Sequence, residues 1–213
     1  MSSRMLLTAQ LFAKILNYLE FPEIINIINQ LKYGHYTILP YVESVFSRLP
    51  TINPYNIARF CFLKRLSLPN SSYINDNMLL MLPQLRSLTI KTGSDLTSDI
   101  FQSLPELKNL EILSPNTYEV DSIINSKSVK FLSNLEKLHV GNKYLRDDDM
   151  HHFKNLRILV INNSRLTPKV LNILPGLELC VINGILIKYK SSKENLKILK
   201  KLRGLREVKI YGI

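Results

Sequence analysis

The chain has 213 residues, of which 46% are hydrophobic, and its formal net charge is +11. This length supports one large domain or two small ones with a substantial apolar core. Its two cysteines lie in no metal-binding or redox spacing, which argues against a disulfide framework and favours a reducing compartment. No apolar run approaches the roughly 18 residues that a membrane-spanning helix needs, so we expect a cytoplasmic or nuclear location.

Residues 5–48 predict three short helices. The first helix carries an apolar stripe at the spacing of one helix face, formed by Leu7, Leu11, Ile15, Leu16 and Leu19. The second begins near Pro22 and continues the pattern at Ile24, Ile27 or Ile28, and Leu31. Tyr41, Val45 and Phe46 suggest a third. Three such helices are too small to bury a core alone, so they must pack on a neighbour or a partner.

From residue 63 onwards the pattern L-x-x-L-x-L recurs. The clear copies are Leu63-Leu66-Leu68, Leu85-Leu88-Ile90, Leu135-Leu138-Val140, Leu156-Leu159-Ile161, Leu177-Cys180-Ile182 and Leu205-Val208-Ile210. A degenerate copy is assigned at Leu110-Leu113, with Pro115 in the third apolar place. The starts are 22, 25, 25, 21, 21 and 28 residues apart, in or near the range of roughly 20–29 residues that leucine-rich repeats show.

Each repeat changes period along its length. The strand-like alternation is followed by apolar residues three apart, which indicates a short helix. The expected N-cap residues of these helices are Asp76, Ser98, Asp147 and Thr167. The predicted fold is therefore α/β, a leucine-rich-repeat solenoid of about seven strand–helix repeats with a parallel concave sheet and convex helices. A small all-α region precedes it.

The turn strings "INDNML", "LTSDIF", "LRDDDM" and "LTPKVL" resemble the cysteine-containing subclass of leucine-rich repeats, over about residues 60–213. The cysteine of that subclass is missing, because the matching places hold Ser71, Gly93 and Ser164. Domain boundaries are predicted at 5–48 for the helical region, 49–62 for a connecting helix or first cap, and 63–213 for the repeats.

The string "LTAQLFAKILNYLEFPEIINI" resembles an F-box, the motif that often precedes such repeats. It departs from the motif at Thr8, where the family has proline, at Gln10, where it has an acidic residue, and in lacking tryptophan. The resemblance implies a substrate receptor that binds a Skp-family adaptor of an SCF-type cullin–RING ubiquitin ligase. The implied adaptor-binding residues are Leu7, Leu11, Ile15, Leu19, Phe21 and Pro22. The alternative is that these helices only cap the repeats, since solenoid ends need covering.

An unidentified target protein is expected on the concave face, where strand alternation points the residues between the leucines outward. The predicted target-binding residues are Arg65, Ser67, Arg86, Thr89, Lys137, His139, Arg157, Val160, Val181, Arg206 and Lys209. Val160 and Val181 are expected to be exposed side by side, which would mark an interface.

The sequence contains no catalytic constellation and predicts no cofactor. A metal site at Asp147–Asp149, His151 and His152 is disfavoured because adjacent histidines on a helix diverge. Cys61 and Cys180 stand at apolar positions and behave there as small hydrophobic residues. Residues 186–213 carry nine Lys and Arg against two Glu. This basic end leaves open a stand-alone binding protein that contacts polyanions, but nucleic acid or membrane binding is not the favoured expectation, because no aromatic residues interleave the cations.

Overall fold

The structure is a computed structural model of the full chain. It describes residues 3–30, 41–47, 57, 59–60, 62–70, 74–91, 95–113, 123–142, 144–162, 164–190, 192–193, 197, 200 and 207–208. The chain divides into two compact units, residues 1–107 (unit 1) and 108–213 (unit 2). None of the helices among these residues is both long and apolar enough to cross a bilayer.

Unit 1 begins with two of the three predicted helices, α1 (Ser3–Leu16) and α2 (Phe21–Gln30). The N-terminus of helix α2 is stabilised by Glu23 in its first turn. The carboxylate of Glu23 accepts a hydrogen bond from the Glu20 amide at 2.8 Å. The buried faces follow helical spacing. They comprise Ala9, Ala13 and Leu16 on α1, and Phe21, Ile24 and Ile28 on α2.

The third predicted helix is wrong, because Ser44–Phe46 forms a strand, β1. The side-chain oxygen of Asn17, just after α1, accepts hydrogen bonds from the amides of Glu43 and Ser44 at 3.1 and 2.9 Å. Those amides begin an edge strand, whose N–H groups need partners. The helix pair therefore closes the edge of the sheet. The ring of Phe21 packs against that of Phe60, with centroids 5.8 Å apart.

Three parallel strands make the sheet of unit 1: β1, β2 (Arg65–Leu68) and β3 (Ser87–Lys91). The buried residues Val45, Leu66 and Leu88 stand in one row across the strands. Alternate residues point to the other side of the sheet. We call this other side, which faces away from the helical segments, the open face.

Unit 2 contains four parallel strands, β4 (Asn109–Leu113), β5 (Lys137–Gly141), β6 (Ile158–Asn162) and β7 (Leu179–Ile182). Two further strands follow in its sheet. They are β8 (Ile185–Tyr189), antiparallel to β7, and β9 (Glu207–Val208), parallel to β8. The repeat predicted at Leu205 therefore does not continue the parallel series.

The turn between β7 and β8 explains this reversal. Asn183 and Gly184 both have positive φ, 52° and 77°, as the two-residue type I′ hairpin turn requires. Strand β8 then runs as far as Tyr189.

The third repeat was assigned in the wrong register. In β4 the buried residues are Leu110 and Ile112, whereas Leu113 is half-buried on the open face. The repeat is therefore Leu107-Leu110-Ile112, and all three of its apolar positions hold apolar residues. Together with the copy at Val42-Val45-Ser47, whose three side chains are all buried, the starts become 42, 63, 85, 107, 135, 156 and 177.

The helical segments are short, and several are 3-10 rather than α. Among those whose bounds the structure describes, the α-helical ones are α3 (Asp76–Leu80) and α4 (Val170–Ile173). The 3-10 ones are η1 (Ser98–Ser103), η2 (Val129–Leu132) and η3 (Asp147–His152). The observed N-caps lie one or two residues from the predicted ones: they are Asn75, Thr97, Arg146 and Lys169 in place of Asp76, Ser98, Asp147 and Thr167.

Three of the predicted cap residues, Asp76, Asp147 and Thr167, take part in hydrogen bonds that join successive repeats. The carboxylate of Asp76 accepts from the amide and hydroxyl of Thr97 at 3.0 and 2.6 Å. Asp147 does the same to Thr167, at 2.9 and 2.6 Å. Each threonine oxygen also accepts from the amide two residues further on. We call this arrangement the Asp–Thr clasp.

We expect Asp147→Ala to lower the free energy of unfolding by about 1–2 kcal/mol, because it removes two charge-assisted hydrogen bonds at a partly solvated turn. The measurement is urea denaturation. Asp148→Ala is the matched control: it removes a carboxylate from the same turn that hydrogen-bonds no described residue, and should change stability by less than about 0.5 kcal/mol. Equal losses in both variants would contradict the clasp.

Candidate functional site

Helix α1 carries an exposed apolar stripe. Leu11 and Ile15 lie within α1, and Tyr18 lies in the turn directly after it; they are spaced four and three residues apart and are 55%, 59% and 91% exposed. They lie on the side of the helix opposite Ala13 and Leu16, which are fully buried. We call these three residues the α1 stripe. A helix whose two sides are both apolar, with only one packed in its own chain, presents a surface for a second molecule.

The predicted adaptor-binding residues divide into those that reach this surface and those that do not. Leu11 and Ile15 belong to the α1 stripe, and Leu19 and Pro22 are half-buried. Phe21 does not reach this surface, because its side chain is buried against Phe60. Leu7 lies within α1, with its side chain outside the described residues. Sequence reasoning missed Tyr18, although its position seven residues after Leu11 places it on the same face.

The open face of unit 1 is lined by hydroxyl groups and two cations. Ser44, Arg65 and Ser87 form one row across the three strands, and Phe46, Ser67 and Thr89 form the next. Lys91 follows at the end of β3. The predicted residues Arg65, Ser67 and Thr89 are thus brought together, with Arg65 exposed and the other two half-buried.

The open face of unit 2 carries an acid–base group on β4 and β5. Nδ1 of His139 lies 2.9 Å from a carboxylate oxygen of Glu111, and the Lys137 ammonium lies 3.9 Å from the other. His139 and Glu111 are partners in the strand register. Both predicted residues, Lys137 and His139, therefore face a carboxylate of the same chain. Glu111 was missed because the third repeat was assigned in the wrong register.

Val160 and Val181 are not exposed, contrary to the sequence prediction. Their side chains are 1% and 2% accessible. They form a buried apolar cluster on the open side of β6, β7 and β8, with Ile158, Leu179 and Leu186. Strands buried on both faces read as unbroken apolar runs, and "ILVI" and "LCVI" are such runs. This is the signal from which the burial could have been predicted.

Arg86 and Arg157 lie beside the sheet rather than on its open face, each paired with a carboxylate of a neighbouring turn or repeat. Arg86 reaches Glu106 at 3.5 Å, and Arg157 reaches Glu178 at 2.6 Å. Lys108 binds Glu136 at 2.6 Å at an equivalent position. Each exposed ion pair of this kind contributes little to the stability of the fold, but it gives the cation a partner within the chain. Arg206 and Lys209 lie outside the described residues.

The turns on the helical side hold no metal-like cluster among the described residues, where no three His, Cys, Asp or Glu side chains are grouped as ligands. His151 and His152 are exposed. An open cleft of about 650 Å³ beside η3 and α4 is lined by Arg146, Asp147, Asp148, Arg165, Lys169, Asn172 and Ile173. Its charges are mixed, and Asp147 is already used in the Asp–Thr clasp.

Cys180 is fully buried in β7 at a core position of the repeat. Burial raises the pKa of its thiol to about 12, against a smaller lowering by the Lys188 charge. The thiolate is the reactive form of cysteine, so the Cys180 thiol is unreactive at neutral pH. Cys61 lies outside the described residues.

The strand register and the repeat spacing are those of a leucine-rich-repeat fold. No protein-family model matches the chain, and no curated protein sequence matches it either. Among solved structures, an internalin from Listeria monocytogenes is 20% identical, with 84% of this chain covered and a TM-score of 0.47. A leucine-rich-repeat protein from Leptospira interrogans is also 20% identical, with 86% covered and a TM-score of 0.46.

The chain spans about half the length of those two proteins, 51% and 53%. The Rad7 and Elc1 complex of yeast matches at 16% identity, covering 97% of this chain and 68% of that one, with a TM-score of 0.43. These are likenesses of fold at low identity, and they do not indicate what this chain binds.

We expect Val160→Asp to lower the free energy of unfolding by about 3 kcal/mol or more, because it buries an unpaired carboxylate among apolar side chains. Thermal and urea denaturation measure the loss. Asn162→Asp, at the exposed end of the same strand, is the control and should be close to neutral. An unchanged melting temperature in Val160→Asp would show that this part of the open face is solvated.

The raised pKa of Cys180 predicts a stability difference that depends on pH. The thiol is favoured in its protonated form when folded, so its contribution is complete below the unfolded pKa of about 8.5 and is lost as pH rises towards 12. In a Cys61→Ser background, the protein with Cys180 should lose about 1.4 kcal/mol per pH unit above 9 relative to Cys180→Ala. Taking this difference cancels the titration of Lys and Tyr. Parallel pH–stability curves would contradict the burial of the thiol.

Proposed function

We propose that this chain is the substrate receptor of an SCF-type cullin–RING ubiquitin ligase, in which α1 binds a Skp-family adaptor and the open face of the sheet binds a target protein. The observation that carries the proposal is the α1 stripe, since two large apolar side chains of α1 and a third in the turn after it are exposed to solvent. The resemblance of the sequence around the stripe to an F-box indicates a Skp-family adaptor as the partner. This role requires a cytoplasmic or nuclear location.

The energetics favour a helix-docking partner. Covering a large apolar side chain that is half exposed or more contributes on the order of 1 kcal/mol or more to binding, and the α1 stripe offers two of them on α1 and one in the turn that follows it. An amphipathic helix that binds a groove presents its anchors at i, i+4 and i+7, which are the positions of Leu11, Ile15 and Tyr18.

Capping the sheet and binding an adaptor use different sides of the same helix. Asn17 and Phe21 hold the helix pair against β1 and Phe60, while the α1 stripe faces away from these contacts. The second candidate function is a stand-alone repeat protein in which the helices act as a cap alone. The contacts of Asn17 and Phe21 are what such a cap needs, so they support either function, whereas the exposed stripe supports the first.

The basic C-terminal part bears on the second candidate. Lys193, Lys197 and Lys200 are exposed and helical, at the spacing of one helix face. Their charge would attract polyanions in a manner that salt weakens steeply. Nothing among the described residues pairs these cations with an aromatic platform for bases, so the adaptor-binding proposal remains the better supported one.

We expect the double variant Leu11→Asp, Ile15→Asp of the full chain to lose binding to a purified Skp-family adaptor by 100-fold or more, because two anchors become charged. Isothermal titration calorimetry measures the affinity. The sheet should stay intact, with a melting temperature close to that of the unmodified chain, since both side chains are exposed.

Lys14→Asp is the matched control, because it lowers the net charge by the same two units at an exposed position of α1 beside the stripe. It should leave adaptor binding nearly unchanged. Unaltered adaptor affinity in the double variant, or no adaptor binding by the unmodified chain, would leave the helix pair as a cap alone. Self-association that the double variant abolishes would assign the α1 stripe to a second copy of the chain.

A further inference from the structure

We infer that Asn183 is a deamidation site controlled by the turn between β7 and β8, so that the chain is modified there when this turn opens. Asn183 and Gly184 form the one Asn-Gly pair in the sequence. Asparagine is most prone to lose its amide when glycine follows it, because glycine has no side chain to hinder the attacking backbone nitrogen. The inference does not depend on the α1 stripe or on the proposed function.

The reaction needs only water as a co-reactant. The backbone nitrogen of Gly184 gives its proton to hydroxide and attacks Cγ of Asn183, so that a new nitrogen–carbon bond closes a cyclic imide. The bond between Cγ and the side-chain nitrogen breaks, and this nitrogen leaves as ammonia. Water then opens the imide at either carbonyl group. The product is aspartate or isoaspartate, and in isoaspartate the main chain runs through the former side chain.

The folded turn keeps the reacting atoms apart. The φ angles of Asn183 and Gly184 are 52° and 77°, as in a type I′ turn, whose first central residue has ψ near about 30°. At that ψ the nitrogen of Gly184 points away from the side chain of Asn183, so closing the imide requires rotation about this bond. The rotation would break the pairing of Ile182 with Ile185, where β8 begins.

The side chain of Asn183 is also held in place. Its Oδ1 accepts a hydrogen bond from the Ser164 amide at 2.9 Å, and its Nδ2 donates to the Ser164 carbonyl at 3.1 Å. These two bonds fix Cγ against the preceding repeat and away from the nitrogen of Gly184. Asn183 is nevertheless exposed, so water and hydroxide reach it as soon as the bonds open. Local opening of the turn therefore sets the rate of deamidation.

Deamidation makes the next opening easier. A carboxylate has no hydrogen to donate, so aspartate at position 183 loses the bond to the Ser164 carbonyl and places a negative charge beside it. Isoaspartate lengthens the main chain, which a two-residue type I′ turn does not accommodate. Strand β8 covers the apolar cluster of unit 2 through Leu186 and pairs with β7. Its loss from a modified chain would leave β7 as an unpaired edge, so the reaction makes a transient opening permanent.

The test is incubation of the full chain at mildly alkaline pH, in buffer and in urea concentrated enough to unfold it. Peptide mapping by mass spectrometry, with digestion at acidic pH to prevent further reaction, measures the acid formed at each asparagine. In urea, Asn183 should react faster than every other asparagine. In buffer its rate should be at least about tenfold lower than in urea, because only the open fraction reacts.

Two variants test the control by the turn. Leu186→Ala should raise the rate at Asn183 in buffer by about tenfold or more, because it removes a buried side chain that holds β8 on the cluster. Leu66→Ala is the matched control: it removes a buried leucine from β2 in unit 1 and should change that rate by less than about twofold.

A further variant measures the effect of the product without relying on these two. Asn183→Asp should lower the melting temperature by about 2 °C or more, because it removes the bond to the Ser164 carbonyl. Asn162→Asp adds the same charge at the exposed end of β6 and should leave the melting temperature unchanged.

Four outcomes would overturn the inference. Equal rates in buffer and in urea would show that the turn does not protect Asn183. Faster reaction at another asparagine in urea would show that the Asn-Gly pair is not the site. Equal acceleration by Leu66→Ala and Leu186→Ala would assign the control to unfolding of the whole chain. An unchanged melting temperature in Asn183→Asp would show that the product leaves the turn as it was.

Discussion

The structure depends on the stacking of apolar side chains between successive repeats. A single strand and its short helical segment cannot bury their shared apolar side, so each repeat relies on its neighbours for a core. Leu138, Leu159 and Cys180 stand side by side in register on β5, β6 and β7, and all are fully buried. The charged pairs and the Asp–Thr clasps join the same neighbours at the surface, where they fix register rather than supply most of the stabilisation.

Such an arrangement leaves an open edge wherever it begins or ends, and the chain covers each edge differently. In unit 1 the helix pair closes β1, with the amide side chain of Asn17 replacing a strand partner. In unit 2 the turn at Asn183 and Gly184 reverses the chain, so that β8 pairs with β7. The side chain of Asn183 also binds both the amide and the carbonyl of Ser164, which ties this turn to the preceding repeat.

The parts of the fold predicted from sequence are those that local spacing determines. The strands β2, β3, β5, β6 and β7 follow from the alternation of leucines, and the helices α1 and α2 from their apolar stripes. The misassigned third repeat shows a limit of pattern matching, because Leu107, Leu110 and Leu113 are equally spaced and two registers compete. The hairpin was predictable from its Asn-Gly pair, and the burial of Val160 from the unbroken apolar run around it.

The candidate sites were predicted less completely, because they depend on which residues stand opposite each other. Arg65 and Arg86 look alike in sequence, each following a repeat leucine within two residues. Only the strand register shows that Arg65 lies in the same row as Ser44 and Ser87, whereas Arg86 reaches Glu106. The pairing of Glu111 with His139 likewise becomes visible only when β4 is placed correctly beside β5.

The burial of β6 and β7 on both faces has a consequence for how unit 2 unfolds. Most strands of repeat proteins are screened on one face, so their amides exchange with solvent through local opening. Here the backbone lies between the repeat core and the cluster around Val160 and Val181, and exposing it requires both apolar layers to separate. Hydrogen exchange at these strands therefore reports the global stability of the unit.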